Sequence, residues 1–249
     1  MIKQGVSQTR ENLQNLENLQ KDLIGLANKE KAKLLAGFFK TGPGQYGEGD
    51  VFIGVVVPDE RMIAKKYCDL SFADTIKLLH SKEHEFRVTA LFILMQKYSR
   101  GTLLERKKIV DLYLSNTKWI NNWDLIDLSA NKILGHAIFN KFFSDINSET
   151  LTKLVKSNSL WERRMAIIAT GAFIVEGQHK ETFRIAKILL KDKHDLIHKA
   201  VGWMLREVGK RCGRDIEIKF LERHHKTMPR TMLRYSLEHF SEVEKKRYM

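Results

Sequence analysis

One carboxylate stands in a column of cations. Five segments of the 249-residue chain, HEFRVTAL, WDLIDLSA, WERRMAII, LIHKAVGW and TMLRYSLE, align with Arg87, Asp127, Arg164, Lys199 and Arg234 at one position, separated by 40, 37, 35 and 35 residues. Equivalent helices of a repeat protein lie side by side along one surface, so the column predicts a ladder of charge on one face. Four members suit a phosphate backbone, and Asp127 is repelled by one. Either this carboxylate has a chemical role, or it pairs with Arg87 or Arg164 in a neighbouring repeat; the column alone leaves both open. Tryptophans flank it. Trp123 lies four residues before Asp127, Trp161 three before Arg164 and Trp203 four after Lys199, spacings that share a helix face. Trp161 suits a core position. Trp123, Asp127 and Trp203 together suggest a pocket for something flat or cationic, because an aromatic face stacks on rings and attracts cations.

The elements that must carry these residues all read as helices. Leu13, Leu16, Leu19, Leu23 and Leu26 recur at steps of three and four, one apolar helix face. A second helix is expected over Lys29–Phe39. The glycine-rich stretch TGPGQYGEGD, residues 41–50, reads as a flexible loop, and Pro58 as the first turn of a short helix through Tyr67. Ser71 and Asp74 start a further helix in the manner of a capping box. From there short and long helices alternate: 71–80 with 85–98, 103–115 with 121–138, 148–157 with 160–175, 180–191 with 195–210, and 215–223 with 230–240. Five pairs at roughly 35–40 residues are the pattern of HEAT or armadillo repeats. Val51–Val57 has strand-like composition but no partner strand. The expected fold is therefore all-α: an α-solenoid of HEAT-like helix pairs with a basic concave groove. It is expected to form one domain, with an N-terminal helical region and loop over 1–57, repeats over 58–240 and a solvated tail over 241–249.

Composition narrows the classes. With 43% hydrophobic and 29% charged residues the chain can bury a core. No run approaches the ~20 apolar residues of a membrane span, and the first residues do not resemble a signal peptide. Two cysteines make no disulfide framework, and a reducing cytoplasm is expected. The excess of 43 Lys and Arg over 30 Asp and Glu, a net charge of +13, favours a polyanion, most simply nucleic acid. Gly42, Gly44 and Gly47 form GxGxxG without the strand that a dinucleotide site requires. His194 and His198 have the spacing of zinc ligands but no third ligand, and no metal is expected. His80 and His84 read as surface residues or helix ends. Lys210, Arg211 and Arg214 surround Cys212, an environment that lowers a thiol pKa, but no base accompanies it.

NNWDLIDLSA (121–130), SLWERRMAIIA (159–169) and IHKAVGWMLREVGK (197–210) resemble the AlkD family of DNA alkylation repair glycosylases. The resemblance runs in order through about residues 30–240, and GPGQYGEGD followed by FIGVVVPDER is similar to a long-loop branch of that family. It implies HEAT-like repeats clasping duplex DNA that contains alkylated bases. It also implies excision of cationic purines, chiefly 3-methyladenine and 7-methylguanine. By resemblance Asp127 is the catalytic carboxylate, Trp123 and Trp203 its aromatic partners and Arg164 a supporting arginine. The cations Arg87, Arg164, Lys199, Arg206 and Arg234 are expected to face the groove, some of them in contact with DNA phosphates. The enzyme would be monofunctional, without cofactor. No lysine is assignable as a Schiff-base nucleophile, Lys199 being the only lysine in the column. It would act as a monomer, in the bacterial cytoplasm at the nucleoid or in a eukaryotic nucleus, with no membrane partner. The alternatives are a HEAT-repeat protein that binds duplex DNA without catalysis, and a HEAT scaffold for an acidic protein.

Overall fold

The leucine stripe buries as its spacing requires. The computed structural model describes residues 15–248. Its first helix, α1 over 15–25, keeps Leu16, Leu19 and Leu23 from solvent, while Leu26, just past the helix, is exposed; Leu13 lies outside the described residues. Asn28 then caps α2 (Lys29–Phe38), its Oδ1 accepting from the Lys31 amide at 3.0 Å. Pro58 sits in the first turn of α3 (Val57–Lys66), where a missing amide hydrogen costs nothing. Ser71 Oγ accepts from the Asp74 amide at the start of α4 (Phe72–Leu79). The remaining expected helices also form. They comprise α5 (His84–Arg100), α6 (Leu103–Ser115), α7 (Trp123–Ser129), α8 (His136–Phe139), α9 (Ser148–Val155), α10 (Leu160–Ala169), α11 (Gly171–Val175), α12 (Lys180–Leu189), α13 (Asp195–Arg211), α14 (Arg214–His224) and α15 (Arg230–Ser236). Among the described residues there is no strand, only one isolated parallel bridge between Val51 and Glu83.

The chain forms two compact units, Met1–Leu125 and Ile126–Met249, with the boundary inside α7. In the first, α5 is buried on every side from His84 to Leu94, with α3, α4 and α6 packed around it. In the second, α13 takes the central place against α10, α11, α12, α14 and α15. A wide turn over Asn131–Gly135, with a bond from the Gly135 amide to the Ala130 carbonyl at 2.9 Å, joins α7 to α8. At the expected solvated end a Ser241–Glu244 capping box opens α16 (Glu242–Lys245), and Tyr248 is buried against His225 and Phe240.

Two glycines are dictated by the packing. Gly54 has φ of +86°, and a Cβ there would lie 2.1 Å from the Asn28 carbonyl oxygen, so the 51–57 segment can lie directly on the α1–α2 junction. Gly202 lets α13 approach α15 so closely that a Cβ would stand 2.4 Å from the Met232 carbonyl oxygen. Gly202→Ala is therefore expected to destabilise the second unit by about 1–3 kcal/mol, read as a lower denaturant midpoint. An unchanged midpoint would mean that α13 and α15 separate without cost.

Candidate functional site

In the second unit Asp127 is held by one arginine. Ser159 caps α10 by accepting from the Glu162 amide, and one turn on Arg164 enters the buried face of that helix. Its Nε donates to Asp127 Oδ1 at 2.9 Å and its Nη2 to Oδ2 at 2.7 Å, a bidentate pair. Its remaining Nη1 donates to the Leu196 carbonyl at the start of α13. Arg164 is 5% exposed, whereas the Asp127 side chain keeps 17% of its surface open. The guanidinium thus orients the carboxylate. The expectation that Arg164 contacts DNA phosphate is corrected, because the side chain is buried and each of its three nitrogens already donates to Asp127 or the Leu196 carbonyl. Trp203, on α13, is half-buried.

The cations of the column differ in burial. Arg87 is 3% exposed, since α5 has no solvent face at that position. Its Nη2 donates to Asp50 Oδ1 at 2.6 Å and its Nη1 to the Ser81 carbonyl. The expected DNA contact at Arg87 is therefore also corrected. Arg206 is half-buried between Glu207 and Glu238, Lys199 forms a half-exposed pair with Asp195 at 2.8 Å, and Arg234 is exposed. The second unit carries most of the positive charge, 24 Lys and Arg against 15 Asp and Glu; the first has 19 against 15.

In the first unit the sequence reading missed a buried ionic cluster. His84 is 2% exposed rather than a surface residue. Its Nδ1 lies 3.2 Å from Asp50 Oδ2 and its Nε2 2.7 Å from Asp124 Oδ2. With a carboxylate at each nitrogen the imidazolium can donate to both, and Arg87 Nη2 also lies 3.2 Å from Nδ1. Burial opposes that charge, but the adjacent Asp124 and the bonds to Asp124 and Asp50 outweigh it and push the pKa from 6.5 up to about 9. Burial likewise opposes the charge of Asp50, yet His84, Arg87 and Asn122 hold its carboxyl below the ordinary range. Burial, and after it the nearby Glu85, push Glu60 up to about 9. No short-range spacing announces the cluster: 34 residues separate Asp50 from His84 and 40 separate His84 from Asp124. Asp50 ends the glycine-rich loop, so that loop is anchored, not flexible as expected.

Trp123 joins the same assembly. Its ring stacks on Phe39 with centroids 5.1 Å apart and planes at 18°. Phe39 stacks on Phe52 at 4.9 Å, and Phe52 on His84 at 4.6 Å. The indole Nε1 donates to Tyr46 Oη at 3.3 Å, and the Trp123 amide to Asn122 Oδ1 at 2.8 Å. Elsewhere, His194 accepts from the Leu196 amide and the His198 ring bonds the Asp192 carbonyl. Burial pushes the Cys212 thiol up, against the lowering expected from its cationic neighbours. Among the described residues no group of three or more His, Cys, Asp or Glu could hold a metal ion, and no helix is long and apolar enough to cross a membrane.

The chain was compared with known proteins. The family described as DNA alkylation repair enzyme matches over residues 19–240. A predicted DNA alkylation repair enzyme from Enterococcus faecalis superimposes with a TM-score of 0.64 at 15% identity, covering 87% of this chain and 97% of that one. AlkD2 from Streptococcus mutans superimposes with a TM-score of 0.52 at 17% identity, covering 93% and 99%. At such identities the likeness establishes the helical fold. No curated protein matches the chain.

Two outcomes follow. Arg164→Met should destabilise the second unit by about 3–5 kcal/mol, because it strands a largely buried carboxylate. The double variant Asp127→Leu/Arg164→Met should recover most of that loss, whereas additive losses would mean that the pair is not coupled. For His84 the folded pKa is raised, so the stability it adds is complete below pH 6.5 and is lost as pH rises through about 9. Denaturant midpoints from pH 6 to 10 should fall over that range in the native protein and fall less in His84→Gln.

Proposed function

The chain belongs to the DNA alkylation repair enzyme family, and on that premise we propose that it is a monofunctional glycosylase for positively charged alkylated purines in duplex DNA. Methylation at N3 of adenine or N7 of guanine makes the base cationic, so it departs as a neutral molecule and needs no acid to protonate it. The task left to the protein is the positive charge that grows on the deoxyribose as the glycosidic bond lengthens. A fixed carboxylate meets that need in two ways: it stabilises the oxocarbenium-like state, and it orients or deprotonates the attacking water.

The observation that carries this reading is the bidentate Asp127–Arg164 pair on two segments, WDLID and WERR, that bear the family resemblance. Arg164 occupies one edge of the carboxylate and thereby fixes its plane; a group held before the reaction needs no reorganisation during it. Trp123, one turn earlier on α7, and Trp203 are assigned to the sugar, whose developing charge their π faces favour. Lys199, Arg206 and Arg234 are assigned to phosphates. A protein acting on DNA would work in the compartment that holds it. A second reading has support in the same pair: Asp127 as a structural ion-pair partner, in a protein that binds duplex DNA without excising bases.

Methylated duplex DNA incubated with the protein should yield free 7-methylguanine and 3-methyladenine by chromatography. Asp127→Asn, nearly isosteric, should lower single-turnover release by about 10²–10³ or more, while duplex affinity holds or rises because a negative charge facing phosphate is gone. Release by the variant at the native rate refutes Asp127 as the catalytic group, and no release by the native protein supports the second reading. Arg234→Ala should weaken binding to any duplex and flatten the salt dependence by about one counterion. An unchanged slope would remove Arg234 from the DNA surface.

A further inference from the structure

The first unit contains a buried cation whose surroundings lead from the glycine-rich loop to Trp123. We infer that His84 is a positioning residue for Trp123: clamped between Asp50 and Asp124, it fixes the first turn of α7 and the plane of the indole. The inference rests on the proposed reaction only in the use that reaction makes of Trp123.

Four observations carry it. First, the imidazolium bridges two elements that are far apart in sequence, the end of the loop at Asp50 and the first turn of α7 at Asp124. Second, each anchor is itself fixed. Asp50 receives Arg87 and Asn122 as well as His84, and Asn122 accepts from the Trp123 amide. The backbone on both sides of the indole, at residues 122 and 124, is thus tied to one buried carboxylate–imidazolium core. Third, the flat faces form a continuous series: His84 on Phe52, Phe52 on Phe39, Phe39 on Trp123. A cation against an aromatic face holds that ring in place, and the plane is passed on to the indole by stacking. Fourth, Tyr46, from the same loop, receives the indole Nε1–H. A core that served stability alone would need neither the loop carboxylate nor a bond to the indole edge. An apolar side chain of similar volume in place of the ion cluster would serve at least as well.

The charged and titratable groups around His84 are Asp50 from the loop, Asp124 from α7, Arg87 and Glu85 from α5 and Glu60 from α3. They define what each substitution removes. His84→Gln removes the cation and keeps a polar side chain of similar reach. Asp124→Asn removes the negative charge from the link to α7 and leaves a weaker amide acceptor, at a position whose side chain is 21% exposed.

The test uses the full chain labelled with fluorotryptophan and read by fluorine NMR, with the Trp123 resonance assigned by its absence from Trp123→Phe. The chain has four tryptophans, so the others serve as internal controls. In both His84→Gln and Asp124→Asn the Trp123 resonance should move or split, while those of Trp161 and Trp203 stay in place. In the native protein the Trp123 resonance should also shift as pH rises through about 9, and in His84→Gln it should not. Single-turnover release of 7-methylguanine should fall about tenfold to a hundredfold in both variants, with duplex affinity unchanged. A folded variant whose Trp123 resonance stays at the native position overturns the inference. Loss of fold in both variants, seen by circular dichroism, also overturns it and reduces His84 to a structural residue. If the native protein releases no base, the proposed reaction fails, and the NMR result still decides whether His84 positions Trp123.

Discussion

A carboxylate withdrawn from water keeps its charge only where a cation or several donors replace the lost hydration. That constraint organises both units. Asp127 meets it through Arg164, whose fork fits the two oxygens and whose third nitrogen is anchored on the Leu196 carbonyl. A lysine could supply the charge but not the orientation, because an ammonium is a point donor without a plane. The pair therefore sets both where the carboxylate stands and which way it faces, and any chemistry assigned to Asp127 depends on that orientation.

The first unit solves the same problem with more partners. Asp50 is surrounded by an imidazolium, a guanidinium and an amide, and Asp124 takes the other side of His84. Elsewhere burial dominates. It pushes Glu60 up to about 9 and Glu217, whose Oε2 lies 3.2 Å from His239 Nε2, up to about 8. Glu85 follows a third course: its carboxylate accepts from the Ile53 and Gly54 amides at 2.7–3.1 Å. In this way it satisfies an extended segment that has no neighbouring strand. Side-chain acceptors of this kind explain how residues 51–57, strand-like in composition, can lie in an all-helical protein.

These pairings also divide the cations by task. Arg87 and Arg164 are spent inside, where an arginine is worth most because its planar fork loses little freedom per bond formed. Lys199 and Arg234 remain toward solvent, where an exposed pair such as Lys199–Asp195 is worth little to stability. The net charge of +13 is thus left to act outward, in attraction to a polyanion, while the interior is close to balanced.

Local patterns in the amino-acid sequence specify the helices and place Asp127 on one of them. Leucine spacing, the caps at Asn28 and Ser71 and the repeat of roughly 35–40 residues are local signals, and helix formation answers to local signals. Likewise Trp123 and Asp127 share a helix face because 3.6 residues make a turn. The alignment sets Arg87, Arg164, Lys199 and Arg234 in one column, but it leaves their orientation open. Register places a side chain on a helix and says nothing about what packs against it. Only the tertiary structure decided that Arg87 and Arg164 turn inward to Asp50 and Asp127. It alone turned a glycine-rich stretch with the look of a flexible loop into an anchored segment. The reason is distance along the chain: the bonds that hold these groups span 34 to 40 residues and, for Asn122 with Asp50, 72. Such contacts depend on packing between whole helices, which no short-range pattern encodes.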